Sequence, residues 1–127
     1  MGGRRGRADR RCRRGRGGRL NRADVWDADL PGAGPHPVVI LTRDVAIPHL
    51  SGIVCAIVTS TIRGLPSEVP VGTGSGLDHD SVVNCDNIYT LRRERLTRKR
   101  GELGPERVRR LDAALSVALG LEGGGGD

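Results

Sequence analysis

Between residues 24 and 91 the apolar positions fall in short runs broken by glycine and proline, and after residue 105 they recur every three or four residues. The first pattern predicts strands, the second a helix. Asp24 to Leu30 alternates polar and apolar residues, with Val25, then Ala28 and Leu30, and Trp26 on the opposite parity; it runs into a turn, PGAGPHP. Val38 to Thr42 and Ile53 to Thr61 are β-branched and nearly continuous, as strands are when both faces are buried or when they line a barrel. Ser67 to Val71 and Ser81 to Leu91 add two more, the first ending in the glycine-rich turn GTGSG. About five strands spaced by turn signals predict a mainly β fold, a small barrel or sandwich. Pro105 suits the first position of a helix, Val108, Leu111, Leu115 and Ala118/Leu119 share one helical face, and Gly120 supplies the stop. One amphipathic C-terminal helix therefore closes the fold.

Length and composition narrow this picture. A chain of 127 residues suits one domain with a modest core and excludes a multidomain enzyme. Its longest apolar stretches, Val38 to Leu41 and Ile53 to Val58, are far below the roughly 18 residues of a membrane span. Cys12, Cys55 and Cys85 form no C-x-x-C pair and are odd in number, so neither a disulfide framework nor a zinc site is indicated and a reducing cytoplasm fits. No apolar h-region follows the early arginines, so export is unsupported.

The formal charge of +6 is unevenly spread. Residues 1–19 hold nine arginines against one aspartate, a head with no core-forming pattern that is expected to be disordered. As function, it reads as an arginine-glycine RNA-binding tail; otherwise it is a flexible appendage, or upstream sequence from a mis-assigned start with Leu20 the true first residue, and composition favours these plainer readings. Residues 20–127 carry 12 cations against 14 anions, polarised between an acidic stretch, 20–91, and a basic run, 92–110. That run reads equally well as a phosphate-tracking face or as the solvated surface of a loop and helix. The domain is expected to span 20–121, with 122–127 a frayed glycine tail.

Generic chemical motifs are few. GTGSG lacks the Lys-Ser/Thr that completes a phosphate loop. Asp78, His79 and Asp80 have metal-ligand chemistry, but consecutive residues point to alternate faces and no fourth ligand lies near, so no metal is assigned and no cofactor is expected. There is no G-x-S-x-G elbow, and Trp26 and Tyr89 are too few aromatics for a base-stacking platform.

The ordered pieces NRADVWDADLPG, HPVVILTRD, VCAIVTSTIRGLPSEVPV, DSVVNCDNIYTL and RLTRKRGELGPERVRRLDAALSVALGL span about 100 residues. In order and spacing they resemble the MazF/PemK family of toxin endoribonucleases from bacterial toxin-antitoxin pairs. The resemblance implies a CcdB/PemK-like small β-barrel, a homodimer, and an acidic-tailed antitoxin that blocks the active groove. It also implies metal-independent cleavage of single-stranded RNA, messenger or transfer, by attack of the ribose 2′-hydroxyl on the adjacent phosphate.

In that family a threonine ends the third strand and an arginine precedes the proline of the second. The threonine position matches Thr59, whose hydroxyl can donate to a phosphate oxygen, with Ser60 and Thr61 beside it. The arginine position falls on His36. Histidine exchanges protons near neutral pH, which arginine, with a pKa above about 12, does not, but it lacks arginine's permanent charge and forked donor. His36 is thus either a working general acid/base, the favoured reading, or the mark of a weakened copy. Arg43 and Arg63 flank the second and third strands and are candidates for the missing charge, and Asn87 matches a base-reading position. The short first loop, PGAGP, leaves the RNA sequence read undefined. The rival from another class is a non-catalytic protein of the same barrel, either a topoisomerase poison or an inactive antitoxin-binding paralogue.

Overall fold

A computed structural model describes residues 19–77 and 80–121. The arginine-glycine head up to residue 18, Cys12, Asp78, His79 and the glycine tail lie outside the described residues. Six strands, β1 (Asp24–Leu30), β2 (Gly34–Ile40), β3 (Gly52–Thr59), β4 (Glu68–Val71), β5 (Ser81–Arg92) and β6 (Leu96–Glu102), precede one helix, α1 (Pro105–Leu119). They form one antiparallel sheet in the order β4-β5-β3-β2-β1-β6.

The sheet curls into a half-barrel. Its two ends, β4 and β6, are not hydrogen-bonded to each other, yet the turn after β4 presses onto β6: a Cβ on Gly76 would lie 2.0 Å from the carbonyl oxygen of Arg100, and one on Gly101 2.5 Å from that of Ser75. Only glycine fits at both points, and Gly76 also takes a left-handed φ of +89°. GTGSG is therefore a tight turn with a packing duty at the seam of the half-barrel.

Both faces of the sheet are buried, which is why the central strands read as unbroken apolar runs. Val25, Val39, Ala56, Val58 and Val83 pack on one face with Leu111 and Ala114 of α1, while Trp26, Ala28, Leu30, Val38, Ile40, Cys55 and Ile57 form the cluster of the other. Trp26 thus shares its face with Ala28 and Leu30, and Val25 is the residue of opposite parity, the reverse of the sequence expectation. The period-2 rule holds; the alternation was phased on the wrong residue. Truncating the fully buried Trp26 to alanine is expected to cost about 3–5 kcal/mol.

The helix matches its prediction, with Gly120 at φ +69° closing it through bonds to the Ser116 and Val117 carbonyls. Of the Ala118/Leu119 pair only Ala118 packs on the core, and Leu119 is exposed. β6 was not anticipated. Its sequence, LTRKRGE, buries only Leu96, because an edge strand hydrogen-bonds on one side and carries charge on its surface, so no apolar alternation marks it. Its cations face the acids of β1: Lys99 pairs with Asp24, and Arg98 and Arg100 with Asp27, while Arg95, in the 3-10 turn just before β6, reaches Asp29. The first half of the basic run is therefore an interstrand ion-pair ladder, neither a bare phosphate track nor a loop.

Candidate active site

The hairpin of β1 and β2 turns through Pro31–Ala33 alone, so the segment GPHP, expected in the turn, belongs to β2. β2 pairs with β1 down to Gly34 but with β3 only over Val38–Ile40. The reason is in the sequence. The Leu41 N–H bonds the Val54 carbonyl on β3, and N–H groups alternate sides along a strand, so positions 35 and 37 direct theirs toward β3 as well. Both are proline and have none. The two strands part below Val38, and His36 and Thr59 flank the opening.

Two recesses meet there. One, of 240 Å³, is lined by His36, Pro37, Val58, Thr59, Ser60, Leu77, Ser81 and Arg100. The other, of 290 Å³, is lined by His36, Ile57, Thr59, Thr61, Arg63, Asn84 and Asn87. His36 and Thr59 belong to both. The first draws Val58 and Leu77 from the helix-side cluster and the second Ile57 from the opposite cluster, so the opening joins the two faces of the sheet.

Each side chain is held by identifiable means. Thr59 closes β3, and its Oγ1 accepts the Thr61 N–H at 3.1 Å, a local turn that leaves the hydroxyl hydrogen available to donate. His36 is half-buried, and its Nδ1 is buried with no hydrogen-bond partner among the described residues. Such an atom costs about 1–3 kcal/mol, a cost that a bound ligand able to pair with it removes.

The loop carrying Arg63 hangs on Glu68, whose Oε1 accepts from the N–H groups of Arg63, Gly64 and Leu65 at 3.1, 2.9 and 3.4 Å. Asn87 is delivered by a bulge in β5: Ala56 pairs with Ile88 but Ile57 with Asn84, leaving residues 85–87 without a β3 partner. The bulge is pinned where Asn84 Oδ1 accepts the Asp86 N–H, Ser67 Oγ donates to Asp86 Oδ2 at 2.5 Å, and the Cys85 N–H reaches the Ser67 carbonyl.

Of the residues singled out from sequence, His36, Thr59, Ser60, Arg63 and Asn87 are brought together. Arg43 is not: it lies beyond the other end of β2, exposed, with its carbonyl capping the turn to Ala46 and Ile47, and lines neither recess. Sequence reasoning missed Asn84, Ser81 and Arg100. Asn84 lies three residues before Asn87, but only the bulge puts them on one wall, and Arg100 arrives through the unforeseen β6. Of DHD, only Asp80 is described, and it is exposed. The described residues hold no group of three or more His, Cys, Asp or Glu able to bind a metal ion, and no helix among them is long and apolar enough to cross a membrane. Burial pushes the thiols of Cys55 and Cys85 up to about 12 and about 11, so neither is a ready nucleophile.

Residues 21–119 match the model of the PemK-like, MazF-like toxins of type II toxin-antitoxin systems. The chain belongs to this family. It is 43% identical over 86 residues to endoribonuclease MazF3 of Mycobacterium tuberculosis, covering 68% of this chain and 84% of that one. The solved Mycobacterium tuberculosis toxin MazF-mt6 superposes with a TM-score of 0.74 at 39% identity, over 78% of this chain and 98% of the other. An endoribonuclease from a mycobacterial species, solved in complex with its cognate antitoxin, gives 0.74 at 33% identity over 81% and 97%. As a MazF-like toxin, the protein carries its two-faced opening at the position where the resemblance placed Thr59 and His36.

Proposed function

We propose that this MazF-like toxin is a sequence-specific endoribonuclease that cleaves single-stranded RNA at the opening between β2 and β3. The observation that carries the reading is that His36 and Thr59 are common to both recesses, so a phosphodiester seated between them has room for a nucleotide on either side. The ribose 2′-hydroxyl attacks the adjacent phosphorus, the O2′–P bond forms and the P–O5′ bond breaks, leaving a 2′,3′-cyclic phosphate and a 5′-hydroxyl. His36 is the side chain that exchanges a proton with the reacting oxygens, water serving the complementary transfer. Thr59 donates to a non-bridging phosphate oxygen, with Ser60 beside it in the first recess and Arg63 beside the second. Asn84 and Asn87 offer paired donors and acceptors to a base edge.

The protein acts as a homodimer and is silenced by an acidic-tailed antitoxin, a partner class supported by relatives solved with their antitoxins. The test is a defined single-stranded RNA incubated with purified protein in the presence of a chelator, followed by end mapping. Cyclic-phosphate and 5′-hydroxyl ends at one short sequence are expected, and full cleavage by both Thr59→Ala and His36→Ala would overturn the site. Growth arrest with intact RNA and accumulating DNA breaks would point to a topoisomerase poison instead.

A further inference from the structure

We propose that Asn84 selects the base at one position beside the cleaved bond, taking a keto base, guanine or uracil, over an amino base, adenine or cytosine. The inference rests on the RNA-cleaving reading above and gives its second recess a specificity. Asn84 lines that recess with His36, Thr59 and Arg63. A carboxamide has one end that accepts and one that donates, and the two differ little in shape. Here the backbone tells them apart. The Asp86 N–H can only donate, so the end of Asn84 that meets it at 3.0 Å is Oδ1, and Nδ2 is the free end. Nδ2 has no hydrogen-bond partner among the described residues, and it is not one of their buried unpartnered side-chain atoms, which are His36 Nδ1 and Glu68 Oε2. Its two hydrogens therefore reach solvent from a residue that lines the recess.

The donor is also fixed in place. Asn84 pairs with Ile57 of β3 on one side and Glu68 of β4 on the other, whereas Asn87, three residues on in the bulge, has no β3 partner and is exposed. A donor already held by two strands loses little freedom when a base arrives. Thr59, whose hydroxyl hydrogen is available, and Arg63 add donors to the same recess, and no carboxylate among the described residues lines it. The two purines differ from each other, as do the two pyrimidines, at an exocyclic group: guanine and uracil carry a carbonyl where adenine and cytosine carry an amine. A donor pairs with the carbonyl, whereas against the amine two donors meet and both stay unpaired.

The test uses the full chain and an RNA library randomised on both sides of the mapped bond, with melting temperature measured in parallel. Asn84→Asp keeps the oxygen that meets the Asp86 N–H and turns the free donor into an acceptor of nearly the same shape. At one position the unchanged protein is expected to favour keto bases by about tenfold, Asn84→Ala to lose that preference, and Asn84→Asp to reverse it toward amino bases. Preferences at the other positions should stay as they are. Each ratio compares two substrates on one variant, so a general loss of activity or of folded protein cancels.

A keto preference that persists in folded Asn84→Ala and Asn84→Asp, or cleaved sites that carry only amino bases, overturns the inference and leaves the endoribonuclease reading standing. No cleavage by the unchanged protein overturns that reading and this inference with it. Where neither variant folds, substrate analogues decide: 2-pyrimidinone in place of uracil, or 2-aminopurine in place of guanine, lacks the carbonyl oxygen. Cleavage lowered about tenfold by the analogue supports the proposal, and cleavage within about twofold overturns it.

Discussion

Two seams of the same sheet use polar groups in opposite ways. Along the β1 and β6 edge every acid of β1 meets a cation: buried Asp24 accepts from the Asn21 N–H, the Trp26 indole and Lys99, Asp27 meets two arginines of β6, and Asp29 meets Arg95 just before that strand. Between β2 and β3 partners are withheld. Two prolines remove the donors that would continue the ladder, and an imidazole nitrogen is left buried without one. Charge density in the sequence is therefore a poor guide to chemistry here. The dense charges hold the curl together, and the recesses open where pairing stops.

The contrast breaks if substitutions at the two seams behave alike. At the opening, Thr59→Ala and His36→Ala are expected to reduce cleavage by about 10²–10⁴-fold. Melting temperature should hold for Thr59→Ala and rise slightly for His36→Ala, which removes a buried nitrogen with no hydrogen-bond partner among the described residues. At the ladder, Asp24→Ala is expected to cost about 1–3 kcal/mol by denaturant titration, because it strands the Trp26 indole N–H, while cleavage per folded molecule stays within about twofold. A loss of stability at His36 or of specific activity at Asp24 would erase the distinction.

The apolar interior between the seams makes a further prediction. Cys55 and Cys85 should resist alkylation at pH 8 until denaturant is added. Their thiols ionise near 9 when unfolded and near 12 and 11 when folded. The folded state thus holds more protons on these thiols above pH 9, and their contribution to stability, constant below that value, should decline as pH rises through 9 to 12. The smallest effect is expected at the solvated end of the ladder, where Asp29→Ala removes an exposed pair with Arg95 and should shift stability by less than about 1 kcal/mol.

The strands around Val38, Ile53, Glu68 and Ser81 and the helix from Pro105 were legible because each carries its own signal: a β-branched run, a turn residue, a 3.6-residue period. Thr59 and His36 were legible through their place in an ordered set of motifs. Not legible was β6, whose edge position frees it from apolar alternation; the shared face of Trp26, Ala28 and Leu30, by contrast, follows from their spacing of two. Arg43 and Arg63 were equivalent in sequence, each just past a strand. They part in space because antiparallel strands send their ends in opposite directions, Arg43 away from the opening and Arg63 toward it.

The sequence by itself determined the mainly β class and the closing helix, since these follow from local periodicity; that Pro35 and Pro37 part β2 from β3 follows only once GPHP lies in β2 and Leu41 bonds Val54. The tertiary structure alone decided which residues gather there. The bulge that carries Asn87, the glycine contact that clamps Arg100, and the cancellation of a basic run by acids some 70 positions earlier are contacts between strands distant along the chain. No local pattern encodes such contacts, because they are set by strand order and curl.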